Sequence, residues 1–133
     1  PTHLAVDARG HLFVADSMNF RVQHFDEQLA FVEAVGGLGD GLGDLPRAKG
    51  LTVDAKGTLW VVEGSADLVQ GFDGKGELVG VFGGSGVADG KFWLPSGLTS
   101  DAEGRLWVAD TWNARVQVFV IEPGPAVVAE GSR

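Results

Sequence analysis

The chain has no cysteine and no tyrosine, a single methionine, and only 10 Lys and Arg against 18 Asp and Glu in 133 residues. Without cysteine there is neither a disulfide framework nor a thiolate metal site. That absence does not choose a compartment; an exported or periplasmic bacterial setting is slightly favoured. The net charge of -8 repels a phosphate backbone over most of the surface, which argues against nucleic acid as a partner. No apolar run approaches the roughly 20 residues of a helical membrane span, so membrane insertion is not expected. Pro1 is not a translation start, and the chain is expected to be processed, trimmed or cut from something longer.

What is abundant is glycine, 21 of 133 residues, against a usual share of about 7%. Val, Leu, Phe and Trp keep the chain apolar enough for a core, so the glycines belong to turns. Their arrangement is periodic. Asp7, Asp54 and Asp101 open the segments DARGHLFV, DAKGTLWV and DAEGRLWV at intervals of 47 residues. An acid follows nine residues later (Asp16, Glu63, Asp110), and a Phe nine beyond that (Phe25, Phe72, Phe119). Self-similarity at this period marks a repeat architecture, in which one unit cannot bury its apolar face alone and stacks on its neighbours.

Within each unit, short runs of β-branched, aromatic and aliphatic residues alternate with Gly-, Asp- and Asn-bearing turns, the pattern of an antiparallel meander with no need of a helix. In the first unit the strands are expected at Leu4 to Asp7, Leu12 to Asp16, Val22 to Asp26 and Phe31 to Val35, with matching runs in the second. Four strands per unit make a propeller blade. The fold class is therefore all-β: blade 1 over 1–45, blade 2 over 46–94, and blade 3 over 95–122 followed by an irregular tail at 123–133. Only Ala126 to Ala129 offers a weak fourth strand for the third blade. Gly10, Gly57 and Gly104 are placed to close the first hairpin of each unit with a positive φ. The Gly-rich stretches 36–45 and 83–94 suit the crossing from one blade's outer edge to the next blade's inner strand.

Set in register, the centres of the units read DSMNFRVQHF from Asp16, EGSADLVQGF from Glu63 and DTWNARVQVF from Asp110. With PSGLTSD at Pro95 and GRLWVAD at Gly104, these lines resemble the NHL repeat of bacterial type. The resemblance covers nearly the whole chain up to Phe119 and implies a six-bladed β-propeller, of which this chain supplies about three blades. The residues themselves give a matching physical reading. Asp16 with Arg21, and Asp110 with Arg115, are expected to staple their hairpin turns or reach the neighbouring blade. Asn19 and Asn113 are expected to cap the turns by bonding backbone or by accepting a positive φ. In the second unit Glu63, Ala66 and Leu68 replace the Asp, Asn and Arg together.

The candidates for chemistry are few. His3 stands at the entry to an innermost strand, beside the central channel, and is a weak candidate metal ligand without a matching partner in the other units. His11 and His24 read as structural. Asp40 and Asp44, in a Gly-rich acidic loop, are weak calcium candidates because the alternating oxygen ligands and closing Glu of a calcium loop are missing. Trp60 and Trp107 match Phe13 and read as core, whereas Trp93 and Trp112 fall in loops and form a candidate binding rim. The favoured function is a non-catalytic protein-binding or scaffold module working through that rim, with a protein partner and no confident cofactor. Further blades would come from missing chain or from a second copy. The alternative is a metal-dependent, lyase-type NHL propeller with a channel site. RNA binding, as in animal NHL proteins, needs a basic rim that this charge does not provide.

Overall fold

The computed structural model describes residues 1–122 and 127–132, and side chains as far as residue 122. The described residues form twelve strands: β1 His3–Val6, β2 Leu12–Asp16, β3 Arg21–Phe25 and β4 Phe31–Val35; β5 Ala48–Val53, β6 Leu59–Glu63, β7 Leu68–Phe72 and β8 Leu78–Gly83; β9 Leu98–Ser100, β10 Arg105–Asp110, β11 Arg115–Ile121 and β12 Val127–Ser132. Each group of four is an antiparallel meander paired in chain order. The innermost strands lie side by side, β1 against β5 and β5 against β9. This is a partial β-propeller of three blades.

Alternation along the second strand of each blade explains the stacking. Phe13 and Ala15 of β2 face blade 2, where they meet Leu51, Leu59, Val61 and Phe72 in one apolar cluster. Trp60 and Val62, on the other side of β6, meet Leu106, Val108 and Phe119 of blade 3 in a second cluster. β6 is thus buried at every position, as expected of a strand covered on both faces. One apolar plug from each crossing segment completes each layer: Leu45 in the first and Phe92 in the second, both fully buried.

The tail differs from expectation. In place of an irregular segment from 123 onward, residues 127–132 form β12, paired with β11 from Ile121↔Val127 to Gln117↔Ser132. Residues 123–126, and with them the expected strand start at Ala126, lie outside the described residues. The physical reason is that β11 runs to Ile121 and presents a paired-strand edge, to which the β-branched Val127 and Val128 are well suited. The turns after β2 and β10 are single 3-10 turns, Ser17–Asn19 and Thr111–Asn113. The left-handed residue is the one after Asn, Phe20 (φ 61°) and Ala114 (φ 52°), so the asparagines do not take that conformation.

Candidate functional site

Chain direction sorts the loops onto two rims. The β1–β2 and β3–β4 hairpins, with their repeats, share one rim, because consecutive strands reverse. The β2–β3, β6–β7 and β10–β11 turns share the other with the crossing segments 36–47 and 84–97.

On the first rim, the aspartates that open each unit are consumed by their own turns. Asp54 Oδ1 accepts the N–H groups of Lys56 and Thr58 at 2.9 and 3.0 Å, and Oδ2 accepts the Trp60 indole N–H at 2.9 Å. Asp101 repeats this with Glu103, Arg105 and the Trp107 indole at 2.8 Å. The Trp107 bond comes first among the causes that hold the Asp101 carboxyl well below the ordinary range. In blade 1, where the Phe13 side chain has no N–H to give, Arg9 takes Asp7 Oδ2 instead. A cleft of about 410 Å³ lies here, lined by Asp7, Arg9, Asp54 and Lys56, but its carboxylates already have these partners.

On the second rim, Asp16 accepts from Asn19 Nδ2 at 3.1 Å, Arg21 Nε at 3.0 Å and Gln23 Nε2 at 3.0 Å. Those donors, Asn19 first and Arg21 next, hold its carboxyl below the ordinary value. Asp110 is fully buried. It accepts from Asn113 Nδ2 (2.9 Å), Arg115 Nε (2.8 Å), Gln117 Nε2 (3.1 Å) and the Trp93 backbone N–H (2.8 Å). Burial acts to raise its carboxyl, and the bonds from Trp93, Asn113, Arg115 and Gln117 outweigh that and lower it. Each guanidinium gives its carboxylate one bond, through Nε, and no two-armed fork forms. In blade 2 the carboxylate is satisfied by backbone: Glu63 accepts the N–H groups of Arg47, Ser65 and Ala66 at 3.0 Å each.

The glutamines carry a role that the sequence reading left unassigned. Gln70 Oε1 accepts the Gly43 N–H at 2.6 Å and its Nε2 donates to the Asp44 carbonyl at 2.9 Å. Gln117 does the same with Gly90 (2.9 Å) and Lys91 (2.7 Å). A side-chain amide, donor and acceptor at once, thereby clasps the crossing segment that enters from the preceding blade. The available signal was the Val-Gln pair standing at one register in all three units. Asp67 was also missed; it accepts from Ser85 Oγ at 2.8 Å and from the Leu94 N–H at 3.2 Å.

The indoles of Trp93 and Trp112 stand on this rim, 48% and 63% exposed, with ring centroids 5.8 Å apart. The Trp112 N–H donates to the Trp93 carbonyl at 3.0 Å. Met18, the repeat equivalent of Trp112, is 84% exposed on the same rim, as are Leu38, Leu42 and Val87 in the crossing segments, at 67 to 74%. Of the weak metal candidates, His3 Nδ1 lies 3.1 Å from Thr2 Oγ1. Asp44 accepts the Gly41 N–H of its own loop at 3.1 Å, and Asp40 is exposed. Among the described residues no three His, Asp or Glu side chains stand together as ion ligands. His11 and His24 meet at 2.7 Å through Nδ1 and Nε2, with Glu27 3.2 Å from His11 Nε2 and His24 stacked on Phe13.

The NHL repeat model matches residues 1–25 and 92–119. The fold is similar to virginiamycin B lyase from Staphylococcus aureus (TM-score 0.71, 16% identity, 97% of this chain and 40% of that one). It is also similar to a gluconolactonase from Xanthomonas campestris (TM-score 0.64, 15% identity, 98% of this chain and 46% of that one). The chain thus spans less than half the length of either structure. No curated protein matches it.

Proposed function

We propose that this chain, which carries NHL repeats at residues 1–25 and 92–119, is half of a six-bladed propeller that holds a protein partner on its loop-bearing rim. The observation that carries this reading is the Trp93–Trp112 pair: two large, half-exposed aromatics side by side, fixed by a backbone hydrogen bond. Exposed aromatic anchors on a rigid frame are what interface hot spots are made of, because their side chains lose little freedom on binding. Met18 and the exposed aliphatics of the crossing segments extend the same apolar rim.

Two of the structures of similar fold are enzymes by name, a lyase and a gluconolactonase. That likeness favours a second reading, a metal-dependent channel enzyme. In this chain it would rest on His3 alone, with the other ligands supplied by further blades. Metal analysis of the purified protein separates the two readings: a stoichiometric ion favours the enzyme.

The test of the binding reading is one mutant measured twice. Trp112→Ala is expected to weaken retention of a partner held by the wild-type chain by roughly 30-fold or more, about 2 kcal/mol, with an unchanged melting temperature. A lower melting temperature with unaltered affinity would place Trp112 in packing and end the rim reading.

A further inference from the structure

Blades 2 and 3 each receive a crossing segment from the blade before them, and they receive it with the same parts. The glutamine of the third strand (Gln70, Gln117) accepts one backbone N–H and donates to the next carbonyl. The carboxylate ending the second strand (Glu63, Asp110) accepts a further N–H, from Arg47 or Trp93. The one-residue offset between these donors has a chemical cause. Pro46 stands where Trp93 does and has no N–H, so Arg47 donates, to a carboxylate one methylene longer. Between these bonds the plug, Leu45 or Phe92, enters the apolar layer.

Blade 1 carries the full receiving set, and among the described residues no segment is seated in it. Gln23 uses its Nε2 on Asp16, and its Oε1 accepts nothing among the described residues; Asp16 accepts side-chain donors only. The apolar part is exposed in the same way. Leu4 is 66% exposed, where its equivalent Leu51 is 5%; Leu12, Val14 and Phe25 are half-buried, where Leu59, Val61 and Phe72 are at most 4%. A face of this composition, with an unused acceptor at its edge, is costly to leave wet.

We propose that this face of blade 1 is the seat of a Gly-rich crossing segment that joins Pro1 directly. Such a segment has the chemistry of residues 36–47 and 83–94: glycine-rich backbone for close approach, and one Leu or Phe plug. The repeat register sets its place. Pro1 is equivalent to Ala48 and Pro95 at the 47-residue period, so the two donated N–H groups and the plug fall within the five positions that lead into Pro1. In blades 2 and 3 the clasped segment runs straight into the inner strand of the blade that receives it, β5 or β9, which is why the segment is assigned to polypeptide continuous with Pro1.

The experiment grafts a copy of residues 83–94 in front of Pro1, joined as the original is joined to Pro95, and compares thermal melts of the chain with and without it. The graft is expected to raise Tm by roughly 5 °C or more. Most of that gain should vanish when the copied Phe plug is replaced by Ser, or when Gln23→Ala is introduced into the grafted chain. If the ungrafted chain does not melt cooperatively, the grafted chain is compared with its Phe→Ser version instead. No gain, or a gain that survives both changes, overturns the proposal. The same twelve residues added as a free peptide at micromolar concentration are expected to give no shift; a shift as large as the graft's would make the occupant a separate molecule and overturn the assignment to Pro1.

Discussion

The guanidinium of Arg115 donates through Nε to Asp110 at 2.8 Å and, through its other arm, to the carbonyls of Ala88 and Lys91 at 2.8 and 3.0 Å. One side chain therefore holds its own turn and the crossing segment of the blade before it. Arg115→Ala leaves a fully buried carboxylate short of a charged donor and takes one of two donors from each of the Ala88 and Lys91 carbonyls, which keep the Lys91 N–H and Gln117 Nε2. The expected loss is about 1 to 3 kcal/mol, read in thermal or urea unfolding. Lys56→Ala, on the turn of blade 2, is the control and should cost little. Equal, negligible shifts for the two would refute the stapling role.

Gly50 of β5 passes close to the backbone that leads into β9. Its N–H donates to the Ser96 carbonyl at 2.9 Å, and a Cβ there would meet that oxygen at 2.5 Å and Gly97 Cα at 2.9 Å. Backbone cannot swing aside as a side chain does, so Gly50→Ala should push β5 off β9, at a cost of about 1 to 3 kcal/mol. Gly74→Ala, where nothing lies within 4 Å, is the matched substitution. If both variants unfold at the same denaturant concentration, the inner strands are not packed this closely.

Acid should loosen the fold through identifiable carboxylates. Asp16, Asp101 and Asp110 all sit below the ordinary aspartate value of 3.8 in the folded chain. Their stabilisation is complete above that value and is lost as pH falls through the folded ones, where the unfolded chain binds more protons. Stability is therefore expected to decline below about pH 4. Trp107→Phe removes the indole N–H that does most to lower Asp101, so its decline with acid should be shallower than that of the wild-type chain. Parallel curves would dismiss the indole as the cause.

The blades and their stacking could be read in the sequence because the period is strict and each strand is short and alternating: Phe13, Trp60 and Trp107 fall at one register, as do Phe25, Phe72 and Phe119. The fourth strand of blade 3 could not, since 127–132 departs from the Phe31 and Leu78 pattern and owes its conformation to the edge of β11. The turn residues Asp16, Asn19 and Arg21 were readable as a group. Their geometry was not, because whether the Arg gives one bond or two depends on how the Asn and Gln side chains share the same carboxylate, which is tertiary information. Gln70 and Gln117 escaped for the same reason: a repeated Val-Gln looks like strand filler until its partner, 26 or 27 residues upstream, is seen.

Blade 2 supplies a substitution that should fail to stabilise. Leu68 faces Glu63 across the β6–β7 pair as Arg115 faces Asp110, so Leu68→Arg restores the missing pair on paper. Glu63, however, already accepts three backbone N–H groups, from Arg47, Ser65 and Ala66. It thus has less to gain from a cation than Asp110 does from Arg115. The new guanidinium would also enter a cleft of about 140 Å³ shared with Pro46, Ala66 and Gln70, giving up the apolar contact of a half-buried leucine. The expected change is within about 0.5 kcal/mol of zero. A gain comparable to the loss in Arg115→Ala would mean that the backbone amides leave Glu63 unsatisfied, and that the Asp-Arg pair stabilises a blade whether or not its carboxylate is already bonded.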